Sequence, residues 1–150
     1  MSHKEACSLL CAGVTTFNSI RHQKLIAGDT VAIQGIGGLG HLAVQFCNKL
    51  GYKVVAISSG KEKEKLTKDL GAHVYIDASS TDAVAELKKM GGAKLIVCTA
   101  PHGKAIEPLI DALAPEGTLL LLAAVMEPLK INTLTMIMNK LSIVVRFFSS

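Results

Sequence analysis

Tryptophan is absent, aromatic residues make up 4% of the chain and charged residues only 19%. That poverty of polar surface argues against a surface-rich binding module and suits a sheet covered on both faces. No long block of one charge stands out. The net charge of +4 comes from lysines scattered beside acidic residues, so a nucleic-acid partner is not expected. The one dense run, Lys61-Glu62-Lys63-Glu64-Lys65, alternates in sign and opens a predicted helix, as a solvated face does. The four cysteines, Cys7, Cys11, Cys47 and Cys98, include no CxxC pair, and no charged start followed by an apolar run marks a signal peptide. A reducing cytoplasm is therefore the expected compartment. The longest apolar run, Thr118 to Met126, falls far short of the ~20 residues that cross a bilayer. Low-complexity linkers and internal repeats are also missing.

What is present is an apolar fraction of 49% in 150 residues, enough for one domain with a full core. Short β-rich runs alternate with amphipathic stretches. Strands are predicted at Thr30–Gln34, Lys53–Ile57, Val74–Ile76, Lys94–Cys98, Thr118–Ala123 and Ser142–Val145. Helices are predicted at Gly38–Leu50, Lys61–Leu70, Asp82–Met90, Lys104–Leu113 and Thr133–Asn139. The first of these rests on Leu39, Leu42, Ala43, Phe46 and Leu50, which would share one face against a sheet. Gly51, Gly71, Gly91 and Gly117 fall where helices end or turns begin. Strands alternating with helices imply right-handed crossovers and a doubly wound, six-stranded parallel sheet of the Rossmann type with helices on both faces. Residues 30–150 form that domain. Residues 1–29, helical from Glu5 to Lys24 with an interruption at Gly13-Val14-Thr15-Thr16, read as a connecting segment from something upstream.

Gly35-Ile36-Gly37-Gly38-Leu39-Gly40 directly follows the first strand and opens the first long helix, the setting in which GxGxxG has physical meaning. Gly35 permits the tight turn, Gly37 removes the Cβ that would bar a pyrophosphate, and Gly40 lets helix and strand approach. The helix N-terminus offers N–H groups and partial positive charge to phosphates. A nicotinamide dinucleotide is the ligand this implies. Selection of NAD would place a carboxylate at the end of the second strand, on the ribose 2′-hydroxyl. Ser58-Ser59-Gly60-Lys61-Glu62-Lys63 stands there instead. Nothing repels a 2′-phosphate: Ser58 and Ser59 can donate hydrogen bonds, and Lys61 or Lys63 can supply charge. NADP(H) is expected over NAD(H), although the two serines could also cap the following helix. Thr99 and Ala100, after the fourth strand, lie at the carboxyl edge where the cofactor passes, with His102 weighted below them. His41, after the last loop glycine, either approaches a phosphate or has no duty.

Leu9-Leu10-Cys11-Ala12-Gly13-Val14-Thr15-Thr16-Phe17, then Gly28-Asp29-Thr30-Val31 and the glycine loop with His41-Leu42-Ala43-Val44-Gln45, resembles the zinc-dependent medium-chain alcohol dehydrogenases. The segment from Ile57 to Lys63 looks like their NADP-dependent, cinnamyl-alcohol-dehydrogenase-like branch. The resemblance implies that Cys11 is one of three protein ligands of a catalytic zinc and that Thr15 lies beside the nicotinamide ring. It implies that Ala123, Ala124 and Val125 meet the nicotinamide carboxamide through their backbone. It also implies that Leu129–Asn132 is an edge segment through which a homodimer pairs its sheets. By composition alone Cys11 reads as a small buried hydrophobe, as do Cys7, Cys47 and Cys98.

The family's other zinc ligands, its proton relay and its four-cysteine structural lobe have no counterpart in this sequence. With Cys11 alone a tetrahedral site lacks two protein ligands, so the chain by itself is expected to bind cofactor without completing a zinc site. A small alcohol or aldehyde would be the substrate of the whole enzyme. Two other readings stand beside this one: the cofactor domain of a zinc-free quinone or enoyl reductase, and a non-catalytic NADP(H)-sensing or interaction module.

Overall fold

The computed structural model describes residues 2–4 and 12–146. Cys7, Cys11 and the rest of residues 5–11, the start of the expected N-terminal helix, lie outside the described residues.

Six strands form one parallel sheet: β1 (Thr30–Gln34), β2 (Lys53–Ser58), β3 (Val74–Asp77), β4 (Ala93–Cys98), β5 (Leu113–Leu121) and β6 (Ser142–Val145). Their order is β3-β2-β1-β4-β5-β6. The chain winds outward from β1 in one direction through β3 and then in the other from β4, so the carboxyl ends of β1 and β4 flank a topological switch point. The Rossmann-type sheet expected from the sequence is the one observed.

Alternate residues of the central strands feed two cores. Ala32, Val55, Ile96 and Leu119 pack on one face, while Val31, Ile33, Val54, Leu95 and Val97 pack on the other. Both faces are dry, which is why these strands read as unbroken apolar runs rather than as alternating ones. Helices α1 (Val14–Arg21) and α2 (Gly38–Lys49) cover the second face, with Ile20, Ala43, Val44 and Cys47 buried there and Phe17 edge-on to Phe46 at 5.3 Å. On the first face Leu87 of α4 (Ala83–Lys89) is buried, as are Ile106, Leu109 and Ile110 that follow β4. Helix α3 (Glu64–Leu70) links β2 to β3, and α6 (Thr133–Asn139) precedes β6.

Five details depart from the expected pattern, each for a local reason. The buried stripe of α2 is Gly40, Ala43, Val44 and Cys47 with Leu42, whereas Leu50 is exposed. Small residues let the helix approach the sheet, and Phe46 turns toward α1 instead. The expected interruption at Val14–Thr16 is helical, being the start of α1. The helix expected over Lys104–Leu113 makes a single α-turn, α5 (Gly103–Ile106), and continues as a 3-10 helix over Glu107–Ala112. Pro108 has no N–H with which to continue the α-helical ladder. β5 starts at Leu113 rather than Thr118 and ends before Ala123. Its register against β4 shifts between Ala93 and Leu95, where Pro115 cannot donate to the ladder and Glu116 takes φ of +64°.

The fifth concerns the expected edge strand at Leu129–Asn132, which is not a strand. Leu129 and Ile131 pack on the first core, the Lys130 N–H donates to Glu107 Oε1 at 2.9 Å, and Asn132 caps α6 by accepting from Leu134 and Thr135. The edges of the sheet are β3 and β6.

Candidate functional site

The glycine loop joins β1 to α2 at the switch point. Gly35 takes φ of +86°, its N–H donates to Ile57 O at 3.0 Å, and its carbonyl accepts from Thr99 Oγ1 at 2.6 Å. Thr99 N–H donates to Gln34 O at 2.9 Å and Ala100 N–H to Gln34 Oε1 at 3.3 Å. The ends of β1, β2 and β4 are thus tied together through the loop.

The four glycines divide into two kinds. A Cβ on Gly35 would come within 2.6 Å of Ala100 Cβ, and one on Gly40 would run into the Gly35 carbonyl oxygen. Those two are glycine because the fold demands it. At Gly37 and Gly38 an added Cβ meets nothing within 4 Å, both are exposed, and Gly37 has φ of −105°. The fold places no demand there. Open space left beside an N-terminus that no side chain caps and whose first turn holds no acidic residue is what an approaching phosphate needs.

This loop forms one wall of a cleft of about 830 Å³. Eight of the expected residues line it: Gly35, Ile36, Gly37, Ser58, Ser59, Lys63, Thr99 and Ala100. Gly38, Leu39 and Gly40 belong to the first turn of α2 and are not on its wall. Lys61 is exposed and off the wall. Ala123, Ala124 and Val125 lie beyond β5 and Thr15 is buried on α1, all outside the cleft as formed by this chain. Gln34, Asp82, Val84, Lys104 and Leu109 line it without having been anticipated. Asp82 carried a legible signal: its Oδ1 accepts from Val84 and Ala85 as the N-cap of α4, which spends its charge on the helix. His102 also reaches the cleft, while His41 rests on Gly37 O through Nδ1 at 3.1 Å.

Positive charge enters from two sides, Lys63 and Lys104. Lys63 Nζ donates to Ile36 O at 2.9 Å and so spans from the β2–α3 turn to the glycine loop. Helix α3 begins at Glu64, three residues later than expected, with no side chain capping it, so Ser58 and Ser59 are not its caps. Behind the serines, Gly60 N–H donates to Asp77 Oδ1 at 2.7 Å and Tyr75 Oη donates to Gly60 O at 2.6 Å. The Ser79 hydroxyl, followed by the N–H groups of Gly60 and Ser79, holds the Asp77 carboxyl down from its ordinary 3.8 to about 2. A depressed pKa means the carboxylate steadies this turn above pH 3.8 and ceases to as pH falls through about 2. In an acid titration followed by NMR, the Gly60 amide should report a step near pH 2; a step near 3.8 would show the carboxylate free of the turn.

Cys47 and Cys98 are buried, and burial pushes both thiols up to about 12, as core cysteines require. Among the described residues no three His, Cys, Asp or Glu side chains gather as metal ligands. No described helix is long and apolar enough to cross a membrane.

Residues 38–150 match the family model described as zinc-binding dehydrogenase. The chain belongs to that family. Among curated relatives it is 58% identical over 117 residues to the alcohol dehydrogenase patD of Aspergillus clavatus, covering 78% of this chain and 30% of that protein. It is 36% identical over 145 residues to an alcohol dehydrogenase of Geobacillus stearothermophilus, covering 96% of this chain and 43% of that one. A solved zinc-binding dehydrogenase structure from Sinorhizobium meliloti, bound to NADP, superposes with a TM-score of 0.88 at 21% identity over 94% of this chain and 44% of its own. The chain thus spans about a third of the length of the first curated relatives it matches, 30% and 34%. The resemblance read from Cys11, Thr15 and the glycine loop led to the same family.

Proposed function

We propose that this chain is the cofactor-binding part of an alcohol dehydrogenase and that its cleft takes NADP(H) in preference to NAD(H). The observation that carries the reading is the pair of open glycines at an uncapped helix N-terminus, Gly37 on the wall of the switch-point cleft and Gly38 beside it in the first turn of α2. The names of the curated relatives support an oxidoreductase acting on alcohols or aldehydes. The NADP in the Sinorhizobium meliloti protein supports the cofactor class.

The pyrophosphate would meet the first turn of α2, and the adenosine ribose would meet Ser58, Ser59 and Lys63, where β2 ends without a carboxylate. When bound, the nicotinamide supplies hydride chemistry. This chain's residues bind and orient it. Thr15, Ala123, Ala124 and Val125 would serve the nicotinamide end, and Cys11 would be one zinc ligand in the complete enzyme. The described residues do not assemble the remaining ligands. A homodimer would use the side of the sheet that carries β6, where α6 exposes Leu134, Ile137 and Met138.

Titrating the purified chain with NADPH and with NADH under identical conditions tests the preference. Tighter binding of NADPH by about tenfold is expected, the return on one extra charge-assisted contact set. Equal or tighter binding of NADH would overturn it.

A further inference from the structure

Two side chains of β3 stand behind the cleft and control one of its walls. The parallel register sets Tyr75 beside Ala56 and Asp77 beside Ser58, so both reach the turn that ends β2. There they take the N–H and the C=O of the same residue, Gly60, at 2.7 and 2.6 Å. Gly60 has φ of +86°, a conformation that the two bonds lock. Oδ1 of Asp77 is itself fixed by the N–H and Oγ of Ser79, at 3.0 and 2.6 Å. On the far side Lys63 is anchored to Ile36 O. Ser58, Ser59 and Lys63 are therefore presented on a segment fastened at both ends.

We propose that Tyr75 and Asp77 are positioning residues that, through Gly60, set the preference for a 2′-phosphate over a 2′-hydroxyl on the adenosine ribose. This rests on the cofactor reading above. A phosphate is held only when several donors converge on it together, whereas a hydroxyl needs one partner. Loosening the turn therefore costs the phosphate more, because the ordering of each donor must then be supplied on binding. The carboxylate stays charged throughout the neutral range, its pKa lying near 2, so the fastening does not vary with pH there.

The test uses this chain with Tyr75→Phe, Asp77→Ala and Asp77→Asn, measuring the Kd of NADPH and of NADH for each, with a thermal melt alongside. Tyr75→Phe and Asp77→Ala are expected to weaken NADPH about tenfold and NADH less than about twofold. Asp77→Asn keeps an acceptor oxygen for Gly60 and should lose less than about threefold for NADPH. Equal losses for the two cofactors, or no loss, would overturn the proposal. If Asp77→Ala fails to fold, Tyr75→Phe, which keeps the packed ring, decides alone. The unsubstituted chain's own preference tests the cofactor reading separately. Should it favour NADH, a selective loss of NADPH in the variants would still support positioning by β3, and a parallel loss would overturn it.

Discussion

Replacing Gly40 with alanine is expected to destabilise the chain by roughly 3 kcal/mol, the upper range for forcing an atom into a packed site. Gly40 is buried in the first turn of α2, and its added Cβ would collide with the Gly35 carbonyl oxygen and lie 2.9 Å from that carbonyl carbon and 3.2 Å from Thr99 Oγ1. A flexible side chain could yield, but these atoms cannot. The Gly35 N–H is held by Ile57 O, and its carbonyl accepts from Thr99. Relief would require α2 to lift from the sheet, which would loosen Ala43, Val44 and Cys47 in the core beneath it. For a chain of this size the melting temperature should fall by roughly 6–12 °C. Thermal unfolding followed by circular dichroism without cofactor reads this directly. An unchanged melt would mean that the loop is not packed against the helix as described.

Replacing Gly37 with alanine should have the opposite profile, leaving the fold nearly intact while weakening cofactor binding. The added Cβ meets no protein atom within 4 Å, and φ of −105° suits any residue. Stability should change by no more than about 1 kcal/mol, the difference between glycine and alanine as an N-cap. Affinity for NADPH and NADH should fall together by roughly 30-fold, or about 2 kcal/mol, because both carry the pyrophosphate that the new methyl group would obstruct. Calorimetric titration beside the same thermal melt separates the two effects. Undiminished binding would remove the pyrophosphate from this loop. The parallel loss also contrasts with the selective loss expected for Tyr75→Phe, so the two ends of the cleft are tested independently.

The positions of most strands could be read from the sequence because a sheet covered on both faces leaves continuous apolar runs such as Val31-Ala32-Ile33 and Val54-Val55-Ala56. The glycine loop could be read because a strand precedes it and a helix follows. Errors arose where a neighbour outvoted the local pattern. Phe46 faces α1 rather than the sheet. Pro108 breaks a helix that periodicity alone would continue. Leu129 and Ile131 are apolar because the core receives them, not because they form an edge strand. In the cleft, Ser58, Ser59 and Lys63 were identifiable from their distance beyond the loop, but their fastening was not. Tyr75 and Asp77 look like ordinary strand residues until β3 pairs with β2.

The amino-acid sequence by itself determined a parallel α/β domain, a glycine loop between its first strand and first long helix, and the absence of a carboxylate at the end of the second strand. Spacing and residue type encode these because each depends on neighbours along the chain. Only the tertiary structure decided that Thr99 would tie down a carbonyl 64 residues away, that Lys63 would reach back to Ile36, and that β3 would steady the turn bearing Ser58 and Ser59. Such contacts follow from strand order and register, and neither leaves a periodic trace in the sequence. The glycines divide along the same line: the motif assigns Gly35 and Gly40 to the fold and Gly37 to a ligand, and the packing adds what an extra Cβ would strike at the first two and that Gly38 is open as well.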